Sequence, residues 1–113
     1  MGKNQYELKH NIMKLVIINA IQEFDPIIKQ LLKQAQVHTF SYRSVIGYRD
    51  NSDDALESNW FASEMHETES VLFYAFVPSE RVDSLFELVH SFNQSQTTIS
   101  KIHIAVLNIE KSN

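Results

Sequence analysis

Three runs of this 113-residue chain are strand-like and apolar on both faces, and that two-sidedness limits its architecture more than any other feature. Met13 to Ile21, MKLVIINAI, is rich in β-branched residues and almost continuously apolar, the pattern of a strand buried on both sides. Val71 to Pro78, VLFYAFVP, sets Leu72, Tyr74 and Phe76 against Val71, Phe73 and Val77. Lys101 to Ile109, KIHIAVLNI, sets Leu107 against Ile104 and Val106. A further run, His38 to Tyr48, alternates Phe40, Tyr42, Ser44, Ile46 and Tyr48 with Thr39, Ser41, Arg43 and Val45, which is also strand behaviour. Gly47 near its end suggests a bend or a close backbone approach.

Two segments carry helical periodicity. Asp25 followed by Pro26 predicts a helix start, with the aspartate as N-cap. Ile27, Ile28, Leu31, Leu32 and Ala35 then form an apolar stripe opposite Lys29, Gln30, Lys33 and Gln34. Ser79 is the predicted N-cap of the second helix, with Glu80 and Asp83 in its first turn and Val82, Leu85, Phe86, Val89 and Phe92 as its buried stripe. Asn93 to Ser100, NQSQTTIS, is a polar connector.

The order strand, helix, strand, loop, strand, helix, strand is the split βαβ arrangement of an α+β, ferredoxin-like βαββαβ fold, a four-stranded antiparallel sheet with two helices on one face. Two helices cover one side of a sheet whose strands are apolar on both. The other side would leave bare more than the few hundred Å² that monomers usually expose, so a closed homo-oligomer is expected.

Between Arg49 and Ser70 lie 22 residues, RDNSDDALESNWFASEMHETES, with seven carboxylates against one arginine. The net charge of the whole chain is −4; this loop carries −6 of it, and the rest of the chain is slightly positive. Connections of such length are uncommon in compact domains and are usually functional or disordered. It also holds the single tryptophan, Trp60, beside Phe61. These aromatics are either a docking anchor, since aromatics dominate interface centres, or a cover for a sheet. His66, with Glu64, Glu67 and Glu69, offers imidazole and carboxylate to a divalent transition metal; the alternative is a solvated acidic loop.

Composition removes several functions. With no cysteine there is no disulfide, thiolate metal site or thiol nucleophile. An acidic chain without a basic cluster argues against nucleic acid. The polar start, MGKNQYELKHNI, is followed by only about nine apolar-rich residues, neither a signal peptide nor a span of membrane length. A cytoplasmic domain without direct membrane insertion is the expectation. No nucleophile elbow or HExxH motif occurs. His38 and His103 read as structural histidines on strands, and Arg43 as a surface ion pair or a cleft residue.

The line MKLVIINAI, FDPIIKQLLKQAQV, HTFSYRSVIGYRD, with VLFYAFVPSERVDSLFELVHSF and SKIHIAVLNIEK after the loop, resembles the PII-like signal-transduction proteins over roughly Met13 to Lys111. A related resemblance is to the cation-tolerance proteins of the same superfamily. Residues 1–12 have no clear period and read as a flexible leader or an upstream start; the resemblance implies 13–111 as one domain, with the acidic loop 49–70 in the place of the protruding T-loop. It implies a homotrimer whose sheets face the threefold axis, small-molecule clefts between subunits, and loops that dock on a membrane transporter or an enzyme. Ligand-binding residues on this basis are Arg43, Gly47, Arg49 and Lys101. Partner contacts fall to Trp60 and Phe61, and a metal would fall to Glu64, His66 and Glu67. One departure concerns the cofactor. Family members that bind ATP or ADP have a glycine-rich stretch before the last strand, whereas this chain reads NQSQTTISK. Backbone amides approach phosphate less readily without glycine, which argues against adenine nucleotide held in that manner and leaves the ligand unknown, a divalent metal among the candidates. The expected function is a non-catalytic regulator that senses a small ligand or metal ion. The alternatives are a divalent-metal-binding protein of the cation-tolerance kind and an oligomeric enzyme with an intersubunit site.

Overall fold

The computed structural model describes residues 12–49 and 67–113. Strand β1 (Met13–Ile21) leads through a single 3-10 turn (Gln22–Phe24) into helix α1 (Asp25–Gln34), and strand β2 (Ser41–Tyr48) follows. Strand β3 (Glu67–Pro78), helix α2 (Ser79–Ser95) and strand β4 (His103–Asn108) complete the order. The sheet is antiparallel with order β2-β3-β1-β4. The sequence therefore yields the expected βαββαβ fold.

One face of the sheet makes the core with the helices. Val16, Ile18 and Ala20 of β1 and Val71, Phe73, Ala75 and Val77 of β3 are buried with Ile28, Leu32, Leu85 and Val89 of the helices. Full burial of side chains such as Phe73, Ile18 and Leu85 stabilises by roughly 1.5–3 kcal/mol each. Phe24 meets Phe92 edge-on at 5.1 Å, which ties the 3-10 turn to α2. Tyr42 stacks on Phe73 at 5.1 Å, and Lys29 Nζ lies 4.0 Å above the Tyr42 ring, joining α1 to β2.

Several local expectations are corrected. Asp25 is not the N-cap: the 3-10 turn runs straight into α1, Phe24 takes the cap position, and no side chain caps it. The Asp25 carboxylate instead meets Lys29 Nζ at 2.8 Å, one turn along. Ser79 does not cap α2 either, because Pro78 occupies that place. The Ser79 amide donates to the Ile12 carbonyl at 2.9 Å, so Ile12, the last residue of the expected leader, is held at the β3–α2 junction. Phe86, expected in the buried stripe of α2, is exposed. Strand β2 begins at Ser41 rather than His38 and β4 at His103 rather than Lys101.

The largest correction concerns the loop. Residues 67–70, expected within it, belong to β3 and pair with 45–48 of β2. Their polarity, Glu67-Thr68-Glu69, conceals them because this end of the hairpin is exposed on both faces and needs backbone pairing, not apolar side chains.

Candidate functional site

The face of the sheet turned away from the helices is divided in two. Across one half run Met13, Leu15 and Ile17 of β1, Tyr74 and Phe76 of β3, and Ala105 and Leu107 of β4, with Leu15 opposite both Phe76 and Leu107. Phe76 is 58% and Tyr74 46% exposed, while Phe73 and Val77 on the opposite face are at most 1% exposed. The other half is more polar, though Leu72, Val45 and Ile21 also share its face. There Arg43 pairs with Leu72, Asn19 with both Leu72 and His103, and Gly47 with Thr68.

This polar half holds an open trough of about 380 Å³ along the end of the sheet where β2 leaves for the acidic segment. Gly47, Tyr48 and Arg49 form one wall, Thr68, Ser70, Asn19 and Ile21 the floor, and Ser100, Lys101 and His103 the other wall. Strand parity explains the convergence, because residues two apart on a strand point to the same face. Among the described residues, the lining contains two permanent cations, one imidazole and no carboxylate. A chain of net charge −4 thus gathers positive charge at one place on its bare face.

Gly47 has a steric role at the trough. A Cβ there would lie 2.9 Å from the Ser70 Oγ, so the bare backbone of β2 leaves room for that hydroxyl. Ser70 is buried, and its hydroxyl makes a long bond of 3.5 Å to the Thr68 carbonyl. At the far wall, Lys101 Nζ donates to the Asn93 carbonyl at 3.1 Å.

Of the four ligand-binding residues read from the sequence, Gly47, Arg49 and Lys101 meet in this trough. Arg43 lies on the same face, exposed at the third position of β2, outside the lining. Trp60, Phe61, Glu64 and His66 lie outside the described residues, as do 1–11. Glu67 is the first residue of β3, opposite Tyr48. Among the described residues no group of three or more acidic or histidine side chains could hold a metal ion. His103, expected to be structural, is exposed and lines the trough, as does Asn19. A signal for Asn19 was available: it is the single polar residue on the bare-face parity of β1, among Met13, Leu15, Ile17 and Ile21.

No protein-family model matches the sequence, and no curated protein matches it. Solved structures do. A nitrogen regulatory PII-like protein, CPII from Thiomonas intermedia K12, aligns over 89% of this chain and 96% of its own, with TM-score 0.58 and 15% identity. A DUF3240 family protein from Shewanella baltica OS155 aligns over 91% and 96%, with TM-score 0.62 and 12% identity. A putative PII-like signalling protein from Thermus thermophilus aligns over 86% of both chains, with TM-score 0.53 and 12% identity. No helix among the described residues is long and apolar enough to cross a membrane. The architecture of this chain is that of the PII-like proteins, one βαββαβ sheet with both helices on one side.

Proposed function

We propose that this chain is a regulatory protein of PII-like type, a homotrimer that senses a small oxyanion in the trough and signals its occupancy through the segment between Arg49 and Glu67. The observation that supports it best is the trough itself, with Arg49, Lys101 and His103 around a glycine and a serine hydroxyl and no carboxylate among the described residues of its lining. Guanidinium and ammonium groups are donors without acceptors, and a buried hydroxyl can add one further bond. That donor set suits carbonate, phosphate or a carboxylate. The Thiomonas protein binds ADP, AMP and bicarbonate in its structure, which supports an anion as the ligand class here. The absence of glycine from residues 93–101 favours the compact anion over a nucleotide diphosphate.

The exposed apolar half of the sheet supports the trimer, since Tyr74, Phe76, Met13 and Leu107 are all more than a third exposed. The trough then lies beside the subunit contact. Trp60 and Phe61 are the proposed partner contacts, on a transporter or an enzyme, through a shift in the population of segment states. No residue is assigned a catalytic role.

Calorimetry with bicarbonate, inorganic phosphate, AMP and ADP tests the reading, with light scattering for the mass. Saturable binding of a compact anion, weakened about tenfold or more in Lys101→Ala and in Arg49→Ala but still measurable, on an assembly of three 13.1 kDa chains is expected. A monomer that binds none of the four would end it.

A further inference from the structure

The far wall of the trough is formed by the connector before β4 together with that strand's first residue, His103. Between the end of α2 at Ser95 and the start of β4 at His103, the connector carries Ser100 and Lys101, and its backbone is fixed near the β4 end by a side chain from the helix. The Asn93 amide nitrogen donates to the Ile102 carbonyl at 2.9 Å, while its oxygen accepts from the Ile102 amide at 2.8 Å. One side chain thus reproduces the two-bond pairing of neighbouring strands. Ile102 itself is buried, at 2% exposure. The main-chain oxygen of the same Asn93 accepts from Lys101 Nζ at 3.1 Å.

Two features set this apart from a helix end being closed. The α2 terminus is closed separately, by the Gln96 amide on the Asn93 carbonyl at 3.3 Å and by Ser95 Oγ on the Phe92 carbonyl at 2.7 Å. The amide of Asn93 instead reaches nine residues ahead, to the residue between Lys101 and His103. Those two flank Ile102, so fixing the Ile102 backbone restricts where both side chains leave the chain.

We infer that Asn93 is a positioning residue for the anion site: it does not touch the ligand and sets Lys101 and His103 at the trough. This rests on the reading of the trough as an anion site. A glutamine at 93 keeps the amide and is at home in a helix, yet its extra methylene displaces the two bonds from register with Ile102. An alanine removes them.

The test is a double-mutant cycle read by calorimetry with inorganic phosphate on the full chain, using Asn93→Ala and Asn93→Gln, each with and without Lys101→Ala. Urea midpoints and mass are measured for every variant. In the chain that keeps Lys101, both Asn93 variants are expected to bind phosphate about tenfold more weakly, the scale of one charge-assisted hydrogen bond. In the Lys101→Ala background the loss should be clearly smaller, about threefold or less, since of the two groups that Asn93 positions only His103 remains. Equal losses in the two backgrounds overturn the assignment, because Asn93 would then act on the fold at large. Unchanged affinity in a folded Asn93→Gln overturns it as well. Absence of phosphate, bicarbonate and nucleotide binding by the parent chain removes the anion site, and the positioning role with it.

Discussion

Gly47 and Ser70 stand on neighbouring strands so close that a Cβ on the glycine would meet the serine Oγ at 2.9 Å. The obstructing atom is a rotatable hydroxyl and its present bond is long, so it can turn aside. Gly47→Ala is therefore expected to fold with its urea midpoint changed by less than about 1 kcal/mol, the loss of clearance offset by alanine's smaller entropy cost in a strand. Phosphate affinity should fall, because the methyl and the displaced hydroxyl both enter the trough. In a Ser70→Ala background the same change should stabilise. A large destabilisation there would show that Gly47 is held by its backbone conformation and not by this contact.

Phe76 sits opposite Leu15 at the centre of the apolar half of the bare face. Phe76→Glu would place an unpaired carboxylate in the proposed subunit contact, at a cost of several kcal/mol to assembly. Light scattering should give a 13.1 kDa monomer with an unchanged far-ultraviolet dichroism spectrum. Retention of the parent mass would mean that this face is not the subunit contact.

Trp60 is the chain's single tryptophan and lies in the segment that leaves the sheet at Arg49 and returns at Glu67. Its emission isolates that segment. Phosphate or bicarbonate at saturating concentration should change the emission of the parent and leave that of Lys101→Ala unaltered. Calorimetric binding without an emission change would separate the trough from the segment and leave the signalling step unsupported.

Gln36 is the one non-glycine residue with positive φ among those described, at 63°. It follows the last turn of α1, where the Val37 amide bonds the Leu32 carbonyl at 2.8 Å and the Gln36 amide bonds the Lys33 carbonyl at 3.0 Å, the paired bonds of a Schellman ending. Glycine is the residue best suited to that conformation. Gln36→Gly should relieve roughly 1–2 kcal/mol of left-handed strain, partly offset by about 0.5–1 kcal/mol of unfolded-chain entropy. The backbone bond from Arg81 Nη1 to the Gln36 carbonyl, 2.8 Å, survives the change. A raised urea midpoint checks it, and a lowered one would point to an unrecognised role for the glutamine side chain.

The Lys29 ammonium is held above its ordinary pKa, first by the hydrogen bond to Asp25 and then by that to Tyr42. A raised folded pKa means stability that is complete below the unfolded value, about 10.4, and lost as pH rises through the folded one. Lys29→Met should therefore differ from the parent at neutral pH and converge with it only in strongly alkaline solution. A difference that widens with rising pH would contradict the sign.

The polar end of β3 and the trough explain where sequence reading stopped. Apolar alternation marks a strand through the side chains it buries, so residues 71–78 were legible and Glu67 to Glu69, exposed on both faces, were not. Lys101 and Arg49 could be named as candidates from their place beside the last strand and the acidic segment. Asn19 and Ser70 could not be joined to them, since no period connects residues on different strands.

The sequence by itself determined the order of elements, the two-sided apolar character of three strands and hence the ferredoxin-like class, because those follow from local periodicity and from the need to bury apolar surface. Tertiary structure decided which face went to the helices and what shared the other. Strand order β2-β3-β1-β4 and its register set Leu72 beside Asn19 and Asn19 beside His103, and Gly47 beside Thr68. Pairing between distant strands, fixed by backbone hydrogen bonds and core packing together, is what makes three scattered cationic or titratable residues into one site.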